Sequence, residues 1–175
     1  MRVMETMINT AVESDIKDKV LNDHFFAEVC PVCHELIHFI YPCTYIDKKA
    51  KLILCLKNNT QFHEEICHKR YVKNIDEFKE KIRIFDALLN DFAVEMCKLK
   101  LKRYCEKNDI VESIFFHSFV DDYLWFEVNC ELKAIPYENY LDVLDKCSKE
   151  SMSKVYYVHE NHIDEVDELT YNESQ

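Results

Sequence analysis

The chain has no glycine in its 175 residues, where average usage near 7% would supply about twelve. The one residue that enters the left-handed region without a Cβ penalty is therefore missing, and every tight turn must place a side chain there instead. Asn, Asp and His tolerate that region best. Asn58-Asn59, Asn90-Asp91, Asn108-Asp109 and Asp121-Asp122 are the turns expected on this ground. The same absence removes the glycine-rich loops that cradle phosphates and the sharp elbow that presents a serine nucleophile, so P-loop, Rossmann and serine-hydrolase chemistry are excluded. Sparse Arg, Ala and Pro beside abundant Lys, Asn, Ile and Tyr match the codon bias of an AT-rich genome, and selection against glycine itself is the alternative.

A chain of this length buries roughly 70% of its unfolded surface, so one ordinary hydrophobic core suffices without a metal or disulfide staple. The 11 Phe and 10 Tyr supply that core. A formal charge of −11 argues against nucleic acid or an anionic membrane as the default partner. The densest basic stretch, Lys98, Lys100, Lys102, Arg103 and Lys107, alternates with apolar residues at helical spacing and reads as a solvated helix face. No apolar run approaches a membrane span, and no secretion signal is expected at the N-terminus. Nine irregularly spaced cysteines read as reduced thiols, which makes the cytoplasm the expected compartment.

Along the chain, residues 3–10 are extended in character and Ser14 is expected to cap a helix over 14–22. Residues 24–29 and 35–42 read as a hairpin about the phrase CPVC, with 51–56 and 69–73 as further strands and Pro42 at a strand end or edge. Asn74 with Glu77 resembles a capping box. It opens an apolar stripe, Ile75, Phe78, Ile82, Phe85, Leu89, Phe92, Met96 and Leu99, which predicts one long helix or two packed helices broken near Asn90-Asp91. Such a stripe also suits a dimer seam, but its aromatic residues fit a globular core better. A second hairpin is expected from 110–119 and 123–132, then a helix over 136–149 with Tyr140, Leu141, Leu144 and Cys147 on one face, and a strand at 154–158. The fold class is therefore α+β: a mainly antiparallel sheet of two hairpins plus added strands, packed against the 74–106 helical segment. One domain over 1–158 and an acidic, loosely ordered tail over 159–175 are expected.

The order of these signals resembles the CpXC family of bacterial and archaeal proteins. Phe25, Phe26, Cys30, Pro31, Cys33, Tyr41, Pro42, Tyr45 and Asp47 match its first conserved phrase. Arg70, Val72, Glu77, Glu80, Lys81, Ile82 and Ile84 match its helical segment, with Asn90-Asp91 and Glu95 at the following turn and helix. The resemblance runs over roughly 5–127 and implies a zinc-ribbon-like domain without implying an activity. It departs in two places: a first Cys-Pro-x-Cys knuckle is expected to be absent, and His34 stands where the family has glycine after the second cysteine.

Cys30 and Cys33 are the candidate metal ligands, because two thiolates three residues apart can share one tetrahedral zinc whose sulfurs the turn amides stabilise. The remaining positions could be filled by His34, Cys43, Cys55, Cys67 or His68, or by a second knuckle from another chain. The other reading is a retained turn with reduced thiols, which leaves the protein with no cofactor. A redox pair would want its first cysteine at a helix N-terminus, and here the flanks read as strands. His63 and Cys67 are four apart without forming a zincin pattern, and His159 and His162 sit in the acidic tail. No catalytic set converges in the sequence. The expectation is a non-enzymatic cytoplasmic module that binds a protein, with a basic partner of the kind an immunity protein or antitoxin occludes as the concrete form and homodimerisation left open. The rivals are a zinc-ribbon nucleic-acid binder and a metal-dependent enzyme.

Overall fold

The computed structural model describes residues 7–13, 15–57 and 68–147. Ser14, Asn58-Asn59, Cys67, the strand expected at 154–158 and the acidic tail lie outside the described residues. The chain divides into two compact units, one running to Lys79 and the other starting at Glu80.

The first unit contains β1 (Met7–Asn9), α1 (Ile16–Leu21), β2 (Ala27–Val29), β3 (Leu36–His38), β4 (Cys43–Asp47), β5 (Leu52–Leu56), β6 (His68–Val72) and the start of α2 (Ile75–Asp86). Four of these strands form one sheet in the order β1-β4-β5-β6. The β4-β5 pair is antiparallel, while β1 joins β4 and β6 joins β5 in parallel, so this sheet is mixed rather than mainly antiparallel. Every residue of β4 and β5 is buried. That pattern explains the continuous apolar run of β5, because a strand covered on both faces has no reason to alternate. β4 carries Thr44 and Asp47 among its buried residues and had no such run to announce it. Asp47 is satisfied there: its Oδ1 accepts from the amides of Lys49 and Ala50, each at 3.0 Å, and its Oδ2 lies 2.9 Å from Lys17 Nζ and 3.3 Å from the Tyr45 hydroxyl that donates to it. Burial pushes this carboxyl up, but Lys17 and the two amides outweigh the push and hold it below its usual range.

Asp15, not Ser14, stands at the N-cap of α1. The expected cap of α2 forms, with a shifted return bond: Asn74 Oδ1 accepts from the Glu77 amide at 2.9 Å, and Glu77 Oε2 accepts at 2.9 Å from the amide of Lys73, the residue before the cap. The apolar stripe breaks into α2 and α3 (Asp91–Cys105), as one of the two expected forms.

The break is a Schellman motif without glycine. The Leu89 amide reaches Ile84 O and the Leu88 amide reaches Phe85 O, each at 3.1 Å, and Leu88 takes φ 55° at the position glycine normally fills. Asn90 keeps φ −79° and instead caps α3, its Oδ1 accepting from the Ala93 amide at 3.0 Å.

In the second unit β7 (Ile114–Val120), β8 (Tyr123–Val128) and β9 (Glu131–Pro136) form an antiparallel meander, followed by α4 (Tyr137–Lys146). The expected hairpin thus gains a third strand. Its two connections are two residues long, between the paired Val120 and Tyr123 and between Val128 and Glu131. Asp121 and Asp122 take φ 53° and 61°, and Asn129 and Cys130 take 49° and 66°, the positive pair that a type I′ turn requires. Asp121-Asp122 was among the expected turns. Asn129-Cys130 was not, and Asn108-Asp109 keeps ordinary φ. Ile84, Leu89, Ala93, Val94 and Cys97 pack with Phe116, Leu124 and Phe126 of the meander and with Tyr140 and Val143 of α4 into one core. Leu141, expected on the buried face of α4, is 43% exposed, and Val143 takes that role.

Candidate functional site

The CPVC phrase sits at the tip of the β2-β3 hairpin. The Cys30 amide donates to Glu35 O at 2.8 Å and the His34 amide donates to Cys30 O at 3.0 Å, which closes the turn. His34 takes φ 59°, the conformation that glycine would hold at no cost. The backbone N–H groups of Cys33 and Val32, followed by the Cys33 thiol, hold the Cys30 thiol below its ordinary pKa. Cys33 Sγ also lies 3.8 Å from Glu35 Oε2. The turn thus keeps the two cysteines of the phrase at the tip of one hairpin.

The other sequence candidates do not gather around it. Cys43 and Cys55 are fully buried in β4 and β5. Burial pushes the Cys43 thiol up to about 12 with a contribution from Cys55, and burial raises Cys55 as well, so both stay protonated. His68 is exposed at the start of β6, and Cys67 lies outside the described residues. Among the described residues no group of three or more His, Cys, Asp or Glu side chains is placed to hold a metal ion. The Cys30-Cys33 pair thus supplies half of a tetrahedral shell and fits zinc only to that extent.

What surrounds the knuckle is apolar and uncovered. Val29, Val32, Leu36, Ile37, Phe39 and Ile40 are 40–86% exposed. Val29 pairs with Leu36 across the two strands and shares its face, whereas Ile37 pairs with Glu28 on the other. Both faces of a hairpin only three residues long are therefore open, and an isolated two-stranded hairpin is marginal in water.

The neighbouring motif residues have packing roles. Phe26 lies with its ring centroid 5.8 Å from Tyr41 and 6.0 Å from Phe78, and Tyr45 lies 5.9 Å from Phe78. The two contacts to Phe78 are edge-to-face and the one to Tyr41 is tilted, and together they hold the base of the hairpin.

A second cluster, which the sequence reading missed, lies inside the second unit. Glu80, Lys81, Asp91, Glu95 and Lys98 are each at most 2% exposed. Lys81 Nζ sits 2.6 Å from Glu95 Oε1 and 3.6 Å from Asp91 Oδ2, while Lys98 Nζ sits 3.0 Å from both Glu80 Oε1 and Glu95 Oε2. The Phe116 amide donates to Glu80. Lys98 therefore does not belong to the solvated face expected for it. Three carboxylates share two ammonium groups, and the excess negative charge shows in the titration. Burial pushes the Glu80 carboxyl up, the Glu95 charge adds to the push, and the lysines offset part of it, leaving Glu80 at about 7. Burial acts on Glu95 too, but Lys81 and Lys98 outweigh it and hold that carboxyl at about 2. Helix spacing could have found the pairs, since Glu95 and Lys98 are three apart. Their burial carried no sequence signal.

A cleft of about 910 Å³ in the second unit, lined in part by Tyr104, Cys105, Asp109 and Leu132, brings Glu131 and Lys133 together only as a surface pair at 2.9 Å.

The sequence matches the family described as CpXC protein over residues 2–98, more than half of the chain. The chain belongs to the CpXC family. The match stops at Lys98, short of the 127 expected, so it takes in the knuckle and the whole buried charge network but none of the meander or α4. Neither the curated proteins nor the solved structures yield a match. Among the described residues no helix is long and apolar enough to cross a membrane.

Proposed function

We propose that the protein is a non-enzymatic interaction module of the cytoplasm that docks a protein partner through the β2-β3 hairpin. The observation that carries this reading is the run of six large apolar residues from Val29 to Ile40, all exposed around the knuckle. Leaving them in water costs free energy that a partner's apolar surface would recover, and uncovered patches rimmed by polar groups are a common mark of protein interfaces. The charge of −11 favours a basic rim on that partner, as in complexes of immunity proteins or antitoxins.

The test compares tagged wild-type protein with Val32→Asp and Ile37→Asp variants in affinity purification from cells, with circular dichroism as the control for folding. The expected outcome is a stoichiometric protein that the wild type retains and both variants lose. Identical retained sets for all three would refute the reading.

A further inference from the structure

We infer that the outer face of the β7-β8-β9 meander docks an arginine-bearing segment of a partner protein, with Trp125 as the stacking platform and Glu127 as the counter-charge. This face belongs to the second unit and uses none of the hairpin residues, so it does not depend on the partner proposed for the β2-β3 hairpin. The helices of the unit pack on the other face of the meander, where Phe116, Leu124 and Phe126 join Ala93, Cys97 and Tyr140 in the core. β8 alternates accordingly: Leu124, Phe126 and Val128 are buried, and Tyr123, Trp125 and Glu127 stand between them on the opposite side. A sheet with one face on the core ordinarily turns polar residues to water on the other. Here the outer face presents exposed Val120, Tyr123 and Leu132 beside the partly buried Trp125.

The side chains of this strip select the partner. Directly paired residues of an antiparallel sheet share a face. Trp125 pairs with Ser118 on β7 and with Ala134 on β9, so small side chains flank the indole and leave room for a stacking group. Glu127 pairs with Phe115 and Leu132, both apolar, and among the described residues it has no hydrogen-bond or ion-pair partner. Same-face residues of a strand stand about 7 Å apart, so a cation laid over the indole comes within reach of that carboxylate. Asp121 and Asp122 form the turn at the other end of the strip, next to Tyr123. The only Lys or Arg of the meander, Lys133, pairs with Phe126 on the core face. An aromatic platform between carboxylates, with no cation of its own, fits a guanidinium better than an ammonium, because the planar group stacks on the ring and pairs edge-on with a carboxylate. A phosphate backbone would meet three carboxylates there and no cation.

Trp125 is the only tryptophan of the chain, so its emission reports on this face directly. The full chain is titrated at physiological salt with a short peptide that alternates arginine and valine, following tryptophan emission and, by calorimetry, binding itself. The expected result is saturable binding that changes the emission and shields the indole from acrylamide. Glu127→Gln and Tyr123→Ser are each expected to weaken binding about fivefold while circular dichroism stays unchanged. Lysine in place of the peptide's arginine is expected to weaken it, and glutamate to abolish it. Asp142→Asn removes an exposed carboxylate of α4, off this face, and is expected to leave the affinity as it was. Equal weakening by Asp142→Asn and Glu127→Gln, or binding that leaves the emission untouched, would reduce the effect to general attraction by an acidic protein and overturn the proposal. An indole already shielded without peptide would overturn it too: at every protein concentration it would put the chain's own segment on the face, and only where light scattering shows a dimer it would put a second copy there. A change in emission produced by the glutamate peptide or by a single-stranded oligonucleotide would overturn it as well.

Discussion

Lys98 reaches from α3 to Glu80 of α2 with 3.0 Å between Nζ and Oε1, and neither side chain is more than 1% exposed. The same ammonium group holds Glu95 at 3.0 Å, so it is the shared cation of two buried carboxylates. Removing one partner of a buried ion pair strands the other in low dielectric, which typically costs 3–5 kcal/mol. Lys98→Met is therefore expected to lower the unfolding free energy by about 3–5 kcal/mol. Urea denaturation measures it. Glu80→Gln combined with Lys98→Met is expected to recover part of that loss, because one of the two stranded charges is gone.

The pH dependence follows from the same network. Glu80 titrates near 7 in the folded protein against an ordinary 4.5, so between those values the folded state binds a proton that the unfolded state has released. Stability from this group is present below about 4.5 and is lost as pH rises to about 7. Glu95 works in the opposite sense: its contribution is present above 4.5 and disappears as pH falls toward 2. The urea midpoint is expected to decline from pH 5 to pH 7 in the wild type, and Glu80→Gln to flatten that decline. An unchanged slope in the variant would assign it to other groups.

Leu88 occupies the left-handed position of the Schellman motif at φ 55° and is 89% exposed, so its side chain buries little in exchange for the strain. The left-handed conformation costs a residue with a Cβ about 1–2 kcal/mol. Glycine would remove that cost but would loosen the unfolded chain. Leu88→Gly is expected to raise stability by roughly 0.5–1 kcal/mol, and Leu88→Ala to give no comparable gain. Thermal melting of the three proteins decides the matter.

The Tyr140 hydroxyl of α4 accepts from the Asn90 amide at 2.9 Å, tying that helix to the turn between α2 and α3. Tyr140→Phe keeps the ring and its packing but leaves the amide unsatisfied, at a cost of about 1–2 kcal/mol. Hydrogen exchange at the Asn90 amide is expected to accelerate in the variant. Protection as in the wild type would mean another group takes over.

Legibility in the sequence followed the physics of each signal. The Asn74-Glu77 box, the stripe from Phe78 to Leu99 and the CPVC turn were readable because capping, helical periodicity and cysteine spacing are local patterns. β4 was not, because Thr44 and Asp47 break its apolar run and are satisfied by tertiary partners such as Lys17. The parallel pairings of β1 and β6 depend on contacts distant in sequence and left no local trace. Lys98 looked like part of a basic surface, since its neighbours Lys100, Lys102 and Arg103 are charged; only the fold reveals the carboxylates gathered around it. The half-shell at Cys30 and Cys33 was legible, whereas the bare apolar flanks of its hairpin were not: Val29 and Leu36 had read as ordinary strand residues.

Nine described residues hold positive φ, and all of them carry side chains. Each such position raises the energy of the folded state, yet a backbone without glycine also wanders less when denatured, and that restriction lowers the entropy gained on unfolding. The two effects oppose each other throughout the molecule. Reinstating glycine would therefore help only where the torsion is most unfavourable, and a chain rebuilt with glycine at every bend would trade local relief for a looser denatured ensemble.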